Sequence, residues 1–418
     1  MAELLIIAVA VYGFAMVSER SSMSPVTAPM VFTTVGLVVG TAGIDWFDLE
    51  LDGEAVPILV EATLVLVLFT DAVRIDLRQL RRNSGFPIRL LAVGLPLTIA
   101  AGAIAAALVF DELGIAEAAL IAAILAPTDA ALGQAVVSDA RLPVRVRQGL
   151  NVESGLNDGI VVPVVTVLLA IVAAEAGETG VDVWGEFIAR QIGFGLLFGV
   201  GVGAAGGWLL HRRARAHAVE GVYRQLATIA VAVGAFSAAE LVDGNGFIAA
   251  FVAGLAFGHA ARDECSGVQD FTEDEGELLT AITFLVFGAV LVGPRLDHLT
   301  WQIAVYAIAS LTVVRMVPAL IAMIGSRTLF ETRLFAGWFG PRGLASILFA
   351  LVVFEELDSD HVETILDIAF WTVLVSVFAH GLTASLWAGR LAARLDSAAD
   401  DMAEMEPVPE LPTRRRLT

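Results

Sequence analysis

Asn151-Val152-Glu153-Ser154-Gly155-Leu156-Asn157-Asp158-Gly159-Ile160-Val161-Val162-Pro163 sets two carboxylates and an amide directly before an apolar run that continues to Ala174. The stretch lies within a span read at 146–174, so its polar residues enter the bilayer. A charged side chain at bilayer depth costs about 3 kcal/mol on insertion scales, and such residues mark ion and substrate paths. The competing reading, both acids at a helix end in water or headgroups, does not face that cost.

The rest of the chain has the composition of a membrane protein. Its 418 residues are 57% hydrophobic and 17% charged, and the mean hydropathy is +0.79. A soluble chain carries about a quarter charged residues. Cys265 is the single cysteine, so no intrachain disulfide can form. All 25 basic residues are arginine, and the net charge of -20 argues against a nucleic-acid partner. The first apolar segment, Leu4 to Val17, follows Glu3 rather than a base. It lacks the cationic start of a cleaved signal peptide and is expected to remain as the first helix.

Segments able to span, about 20 residues each, fall at 2–18, 25–43, 55–73, 86–110, 114–138, 146–174, 184–210, 222–240, 244–260, 277–293, 299–325, 333–355 and 362–389. The expected fold class is therefore an all-α membrane protein of about 13 transmembrane helices. Loop charges alternate along this series. Arg20, then Arg74 to Arg89, Arg141 to Arg147, Arg212 to Arg224, Arg327 with Arg333, and Arg390 with Arg394 and Arg414 to Arg416 fall on one side. Acidic loops fall on the other, and only the mixed, acidic 259–276 loop breaks the pattern. Basic loops face the cytoplasm. The N-terminus is thus expected outside the cell membrane and the C-terminus in the cytoplasm. The polar, proline-bearing tail 396–418 is expected to lack fixed structure.

Polar residues inside the spans cluster. Asp71 ends the third span, Ala126-Pro127-Thr128-Asp129-Ala130 interrupts the fifth, and Glu153 and Asp158 open the sixth. Arg315 lies in the eleventh, Arg342 within Gly340-Pro341-Arg342-Gly343 of the twelfth, and His380 in the last. Pro127 and Pro341 each predict a broken helix, since proline removes a backbone hydrogen bond and clashes with the preceding turn. Irregular backbone at membrane depth is tolerated where it lines a cavity or is buried in protein. Two interrupted helices in corresponding halves point to a transporter site between inverted repeats.

Ser154 and Asp158, four residues apart, share a helix face. A small hard cation takes oxygen ligands, and Asp158, Ser154, carbonyls freed near Thr128, and Asp71 supply them. No Cys/His cluster suggests a transition metal. Arg315 needs a buried partner, for which Glu153 is the candidate. Arg342 pairs with Asp129 or faces the freed carbonyls. His380 reads as a polar core residue, because a lone imidazole names no partner.

The ordered set Ala-Pro-Thr-Asp-Ala, Asn-Val-Glu-Ser-Gly-Leu-Asn-Asp-Gly, an Arg-bearing span and Gly-Pro-Arg-Gly resembles the monovalent cation:proton antiporters of family 1, the NhaP-type Na+/H+ antiporters. The resemblance covers spans one to thirteen. It implies an NhaA/NhaP-like fold of inverted repeats with two broken crossing helices. It also implies a homodimer in which core helices slide against dimerisation helices. On this chain that division places the transmembrane domain at 1–395, transport helices at about 86–174 and 277–389, and dimerisation helices in the remainder. Asp158 would bind the ion or the proton. Thr128, Asp129 and Ser154 would complete the site, and Asp71 lies where relatives place an acid. Asn157 stands where electrogenic relatives carry a second aspartate, which implies electroneutral exchange. Glu153 would pair structurally with Arg315, and Arg342 would sit on the second crossing helix. Gly36-x-x-x-Gly40 permits close helix packing, as a dimer contact would use.

The function expected is Na+ or Li+ exchange for H+ in service of pH homeostasis, with no cofactor and no enzymatic activity. K+/H+ antiport is the alternative within the same fold. An intramembrane aspartyl protease using Asp129 and Asp158 lacks its Gly-x-Gly-Asp element, and a channel lacks a filter-like run.

Overall fold

The computed structural model describes residues 2–22, 26–47, 55–75, 85–129, 132–137, 139–175, 181–261, 265–396 and 402–406. Parts of the loops and motifs read above lie outside these: the acidic residues from Asp48 to Glu54, Arg78, Arg81, Arg82, Ala130, Glu178, Asp263, Glu264 and the three arginines at 414–416. The side chains of 265–275 are likewise not described.

The described chain is helical, as the apolar runs require: in lipid every backbone polar group must be satisfied within the protein. The helices are α1 (Ala2–Ser22), α2 (Ala28–Val39), α3 (Ala55–Arg74), α4 (Gly85–Val109, with a π turn at Leu90–Gly94), α5 (Ile115–Ile124), α6 (Gln134–Val137) and α7 (Val144–Glu175). There follow α8 (Val181–Arg215), α9 (Gly221–Glu240), α10 (Gly246–Ala260), α11 (Cys265–Val286), α12 (Trp301–Leu311), α13 (Val313–Ala322), α14 (Phe330–Trp338), α15 (Leu344–Glu356) and α16 (Val362–Asp396). Among the described residues eight helical runs are long and apolar enough to cross a membrane, Trp301–Ala322 counted as one, and four more are shorter and apolar. Both proline-marked breaks are present: α5 ends before Pro127, and α14 and α15 are separated at 339–343. A third interruption, at Thr312 between α12 and α13, divides a stretch read as one span.

The chain forms two compact units. The first comprises residues 1–60, 83–157 and 280–418. Its buried core joins Phe86 and Leu90 of α4, Val146 and Leu150 of α7, Phe335 and Phe339 around α14, and Ala384, Ala388 and Leu391 of α16. In the same unit α2 lies directly on the turn that prolongs α11. A methyl group at Gly36 would collide with the Leu285 carbonyl, and one at Gly40 with the Ala289 backbone. The Gly36-x-x-x-Gly40 face is therefore occupied within the chain, which removes it as a dimer contact. The reason is physical: a small-residue seam serves whichever helix approaches it, and the sequence does not name the partner.

The tail expected to lack fixed structure contributes a short 3-10 turn, Ala403–Met405, to the same unit. Glu404 is buried there and accepts a hydrogen bond from Leu329 N at 2.6 Å, just before α14. Arg145, at the start of α7, donates to Ala403 O at 2.7 Å and pairs with Glu406.

The second unit comprises residues 61–82 and 158–279. Val65, Phe69 and Val73 of α3 pack with Ala232, Ala235 and Ala239 of α9 and with Ala249, Ala250, Ala253 and Phe257 of α10. Helix α8 presents Gly195, Gly199, Gly203 and Gly207 to α10. Methyl groups there would press on the carbonyls of Asn245, Ala249, Ala253 and Phe257 in turn. Asn245 caps α10, its Oδ1 accepting from Ile248 N at 2.9 Å.

Candidate ion site at the broken helices

At the entrance of helix α5, Glu117 reaches back to accept from Gly114 N at 2.8 Å. It stops where Pro127 cannot donate, leaving the carbonyls of residues 126, 127 and 128 outside a helix. All three receive side-chain donors. Arg342 Nη1 donates to Ala126 O and, at 3.1 Å, to Pro127 O. Ser154 Oγ donates to Thr128 O at 2.6 Å. Asn157 Nδ2 donates to the Thr128 hydroxyl, also at 2.6 Å. Thr128 is thus held from α7 at both its backbone and its side chain. Each carbonyl oxygen keeps a second lone pair.

Of the two partners open to Arg342 in the sequence, the structure uses the carbonyls. Asp129 turns to the other break: its Oδ2 accepts from Leu344 N at 2.8 Å, and its own N–H donates to Pro341 O at 2.8 Å. It acts as a carboxylate cap on the N-terminus of α15, where the helix dipole favours negative charge. The two breaks therefore grip each other reciprocally, arginine to carbonyls and aspartate to amide. Gly343 leaves room for this approach, since a methyl group there would strike the Asp129 carboxylate. Gly340 does the same for the Arg315 guanidinium.

Arg315 Nη2 lies 2.8 Å from Glu153 Oε1, both side chains buried. Asp158 follows Asn157 on the continuous helix α7 and is 6% exposed. It stands one turn beyond Ser154, on the same helix face. Asp71, buried in α3, lies 4.0 Å from Arg74. Asn157 Oδ1 and Ser346 Oγ are buried oxygens with no hydrogen-bond partner among the described residues. Ser346 was not singled out from sequence, where a serine in an apolar helix has no distinguishing signal. No group of three His, Cys, Asp or Glu able to hold a metal occurs among the described residues.

Sixteen helices among the described residues, two mutually capped helix breaks and a carboxylate-bearing helix beside them define a polytopic membrane carrier. The chain belongs to the sodium/hydrogen exchanger family, whose transmembrane model matches residues 4–388. It is 25% identical over 380 residues to the K(+)/H(+) antiporter NhaP2 of Shewanella sp. (strain ANA-3), covering 90% of this chain and 64% of that one. It is 27% identical over 385 residues to the low-affinity Na(+)/H(+) antiporter NhaS1 of Synechocystis sp., covering 88% and 71%. The chain thus spans less than two thirds of the NhaP2 relative's length. Its fold is similar to that of the sodium proton antiporter MjNhaP1 from Methanocaldococcus jannaschii. The TM-score is 0.75 at 19% identity, covering 91% of this chain and 98% of that one. Membership of an exchanger family sets aside the protease alternative.

Proposed function

We propose that the protein exchanges Na+ or Li+ for H+ across the cell membrane, electroneutrally and by alternating access. The observation that carries this reading is the row Ser154, Asn157 and Asp158 on one buried stretch of α7, with Ser154 and Asn157 both bonded to the unwound Thr128. The proposal assigns the cation to Asp158, with the oxygens of Ser154 and Thr128 as further ligands and Asp71 as a second acidic group nearby in function. Asp129 and Arg342 serve by holding the two breaks, and Glu153 with Arg315 by holding α7 to α13.

Burial favours the neutral or neutralised state of a carboxylate. Asp158 therefore crosses either protonated or cation-bound, and the two ligands compete. Asn157 adds no charge, so one proton is exchanged per monovalent cation. The proposal includes the transport and dimerisation helices named from sequence, a homodimer, and a cytoplasmic C-terminus. Loop arginines support that orientation.

The K+/H+ reading is favoured by one observation, the K(+)/H(+) antiporter names of the Shewanella relative and of NhaP from Alkalimonas amylolytica, 25% identical over 361 residues. A pH-dye assay in proteoliposomes, with Na+, Li+ and K+ gradients in turn, tests both. Dequenching with Na+ or Li+ at lower half-maximal concentration than K+ is expected. The opposite order selects K+, and a steady ionic current overturns the carrier reading.

A further inference from the structure

We infer that His380 is a positioning residue of the second broken helix, fixing the backbone that carries Arg342. The inference rests on the antiport reading above and deepens it. His380 and Ser376 are one helical turn apart on α16 and are buried. His380 Nε2 lies 2.9 Å from the carbonyl oxygen of Trp338, the last residue of α14. A carbonyl only accepts, so Nε2 carries the hydrogen. On the other side of the ring, Nδ1 lies 3.1 Å from Ser376 Oγ. It also lies 3.0 Å from the Ser376 carbonyl. Ser376 Oγ accepts from Arg342 N at 2.6 Å. With a neutral ring protonated at Nε2, Nδ1 can only accept, so its contact with the Ser376 hydroxyl is the hydrogen bond and its approach to the Ser376 carbonyl is not, and the bonds form one directed chain. Arg342 N–H donates to the Ser376 hydroxyl, that hydroxyl donates to Nδ1, and Nε2–H donates to Trp338 O.

The chain spans the break, binding the residue before it and the amide of Arg342 within it. The ends of a broken helix leave carbonyls and amides without intrahelical partners; here the imidazole adds a second donor to Trp338 O, which also accepts from Gly340 N at 2.8 Å, and the hydroxyl supplies the acceptor for Arg342 N. The same face of α16 secures the flank. The Trp338 and His380 rings lie 4.9 Å apart, and Trp338 Nε1 donates to Thr383 Oγ1 at 3.0 Å. The Arg342 guanidinium then reaches the Ala126 and Pro127 carbonyls beside Thr128. A shift of the Arg342 backbone is thereby transmitted to the proposed cation ligands.

The test uses the full chain in proteoliposomes, reading apparent KM for Na+, Li+ and K+, maximal rate, and the pH profile. His380→Phe keeps a ring but loses both polar bonds. It should raise the cation KM about tenfold with maximal rate little changed, the factor expected for losing two modest buried hydrogen bonds that order a site. His380→Gln restores a donor near Nε2 and should bring KM back towards the wild-type value. Because glutamine does not titrate, the pH profile of His380→Gln should overlie the wild type. A profile that loses a limb would make His380 a proton carrier and overturn the inference. Ser376→Ala removes the acceptor for Arg342 N–H, leaves the Trp338 bond, and should also raise KM, whether or not His380→Phe folds. Unchanged KM in the folded variants overturns the inference while leaving antiport intact. Wild-type liposomes inert to all three cations would instead overturn the antiport reading, and the inference with it.

Discussion

Glu153 Oε1 and Arg315 Nη2 meet at 2.8 Å, where each residue is only 1% exposed. Removing one partner of such a pair strands the other charge in a low-dielectric interior, at a cost of about 3–5 kcal/mol. Glu153→Ala is therefore expected to lower the melting temperature and yield of the detergent-purified protein sharply. Replacing both residues by apolar ones of similar volume, as in Glu153→Leu with Arg315→Met, should recover much of the loss. A melting curve of Glu153→Ala that matches the wild type would remove the structural role assigned to this pair.

Asp158 is expected to behave oppositely. Asp158→Asn preserves shape and removes the one ionisable group in the row, the one able to exchange a proton for a cation. Exchange should vanish while melting temperature and monodispersity persist. Retained dequenching in proteoliposomes carrying this variant would exclude Asp158 as the carrier.

Competition for a single carboxylate has a pH signature. As external pH falls, protons occupy Asp158 and the apparent KM for the cation should rise, approaching tenfold per unit at the acid end, while saturating cation restores the rate. Initial rates over a pH-by-cation matrix check this. A maximal rate that falls with acid at unchanged KM would contradict it.

Charge balance makes a further prediction. On the proposed reading, with an amide at Asn157 beside one carboxylate at Asp158, each cycle would move equal charge both ways. Recording on a supported membrane should give no transport current at cation concentrations that drive dye-detected exchange. A current that tracks exchange would require a second titrating group.

The α2–α11 contact separates packing from assembly. Gly36→Val should impair folding, since even a methyl group meets the Leu285 carbonyl, whereas Gly13→Ala has nothing within 4 Å and should be silent. A Gly36→Val protein with wild-type melting temperature but altered oligomeric state, seen by light scattering in detergent, would return this face to an intermolecular role.

The helices and the two breaks were legible because they depend on local facts: apolar length, proline, and charge stranded in a span. Arg315 pointed to Glu153 because charge balance at membrane depth leaves few partners. The engagement of Asp129 with Leu344 was not legible. It joins residues 215 apart in sequence, and a helix periodicity does not say which distant backbone amide an acid will face. His380 read as an isolated imidazole for the same reason on one side, since its distant partner is the main-chain carbonyl of Trp338, invisible in residue identity; Ser376, one turn earlier on the same helix, could have been read from spacing. The docking of Glu404 on Leu329 N was hidden by composition: a polar, acidic tail resembles an unstructured one until its contacts with Leu329 and Arg145 are seen.

Helices α8 and α10 touch backbone to backbone along four successive turns, at Gly195, Gly199, Gly203 and Gly207. The β-branched side chains of Ile248 and Val252, stiff at their first torsion, fill in beside these carbonyls and leave little to absorb slip. Moving one past the other by a helical turn means travelling about 5.4 Å and fitting four glycines to four new carbonyls at once. The pair therefore behaves as a single girder, and the compliance needed for a transport cycle must reside elsewhere, in segments padded by side chains.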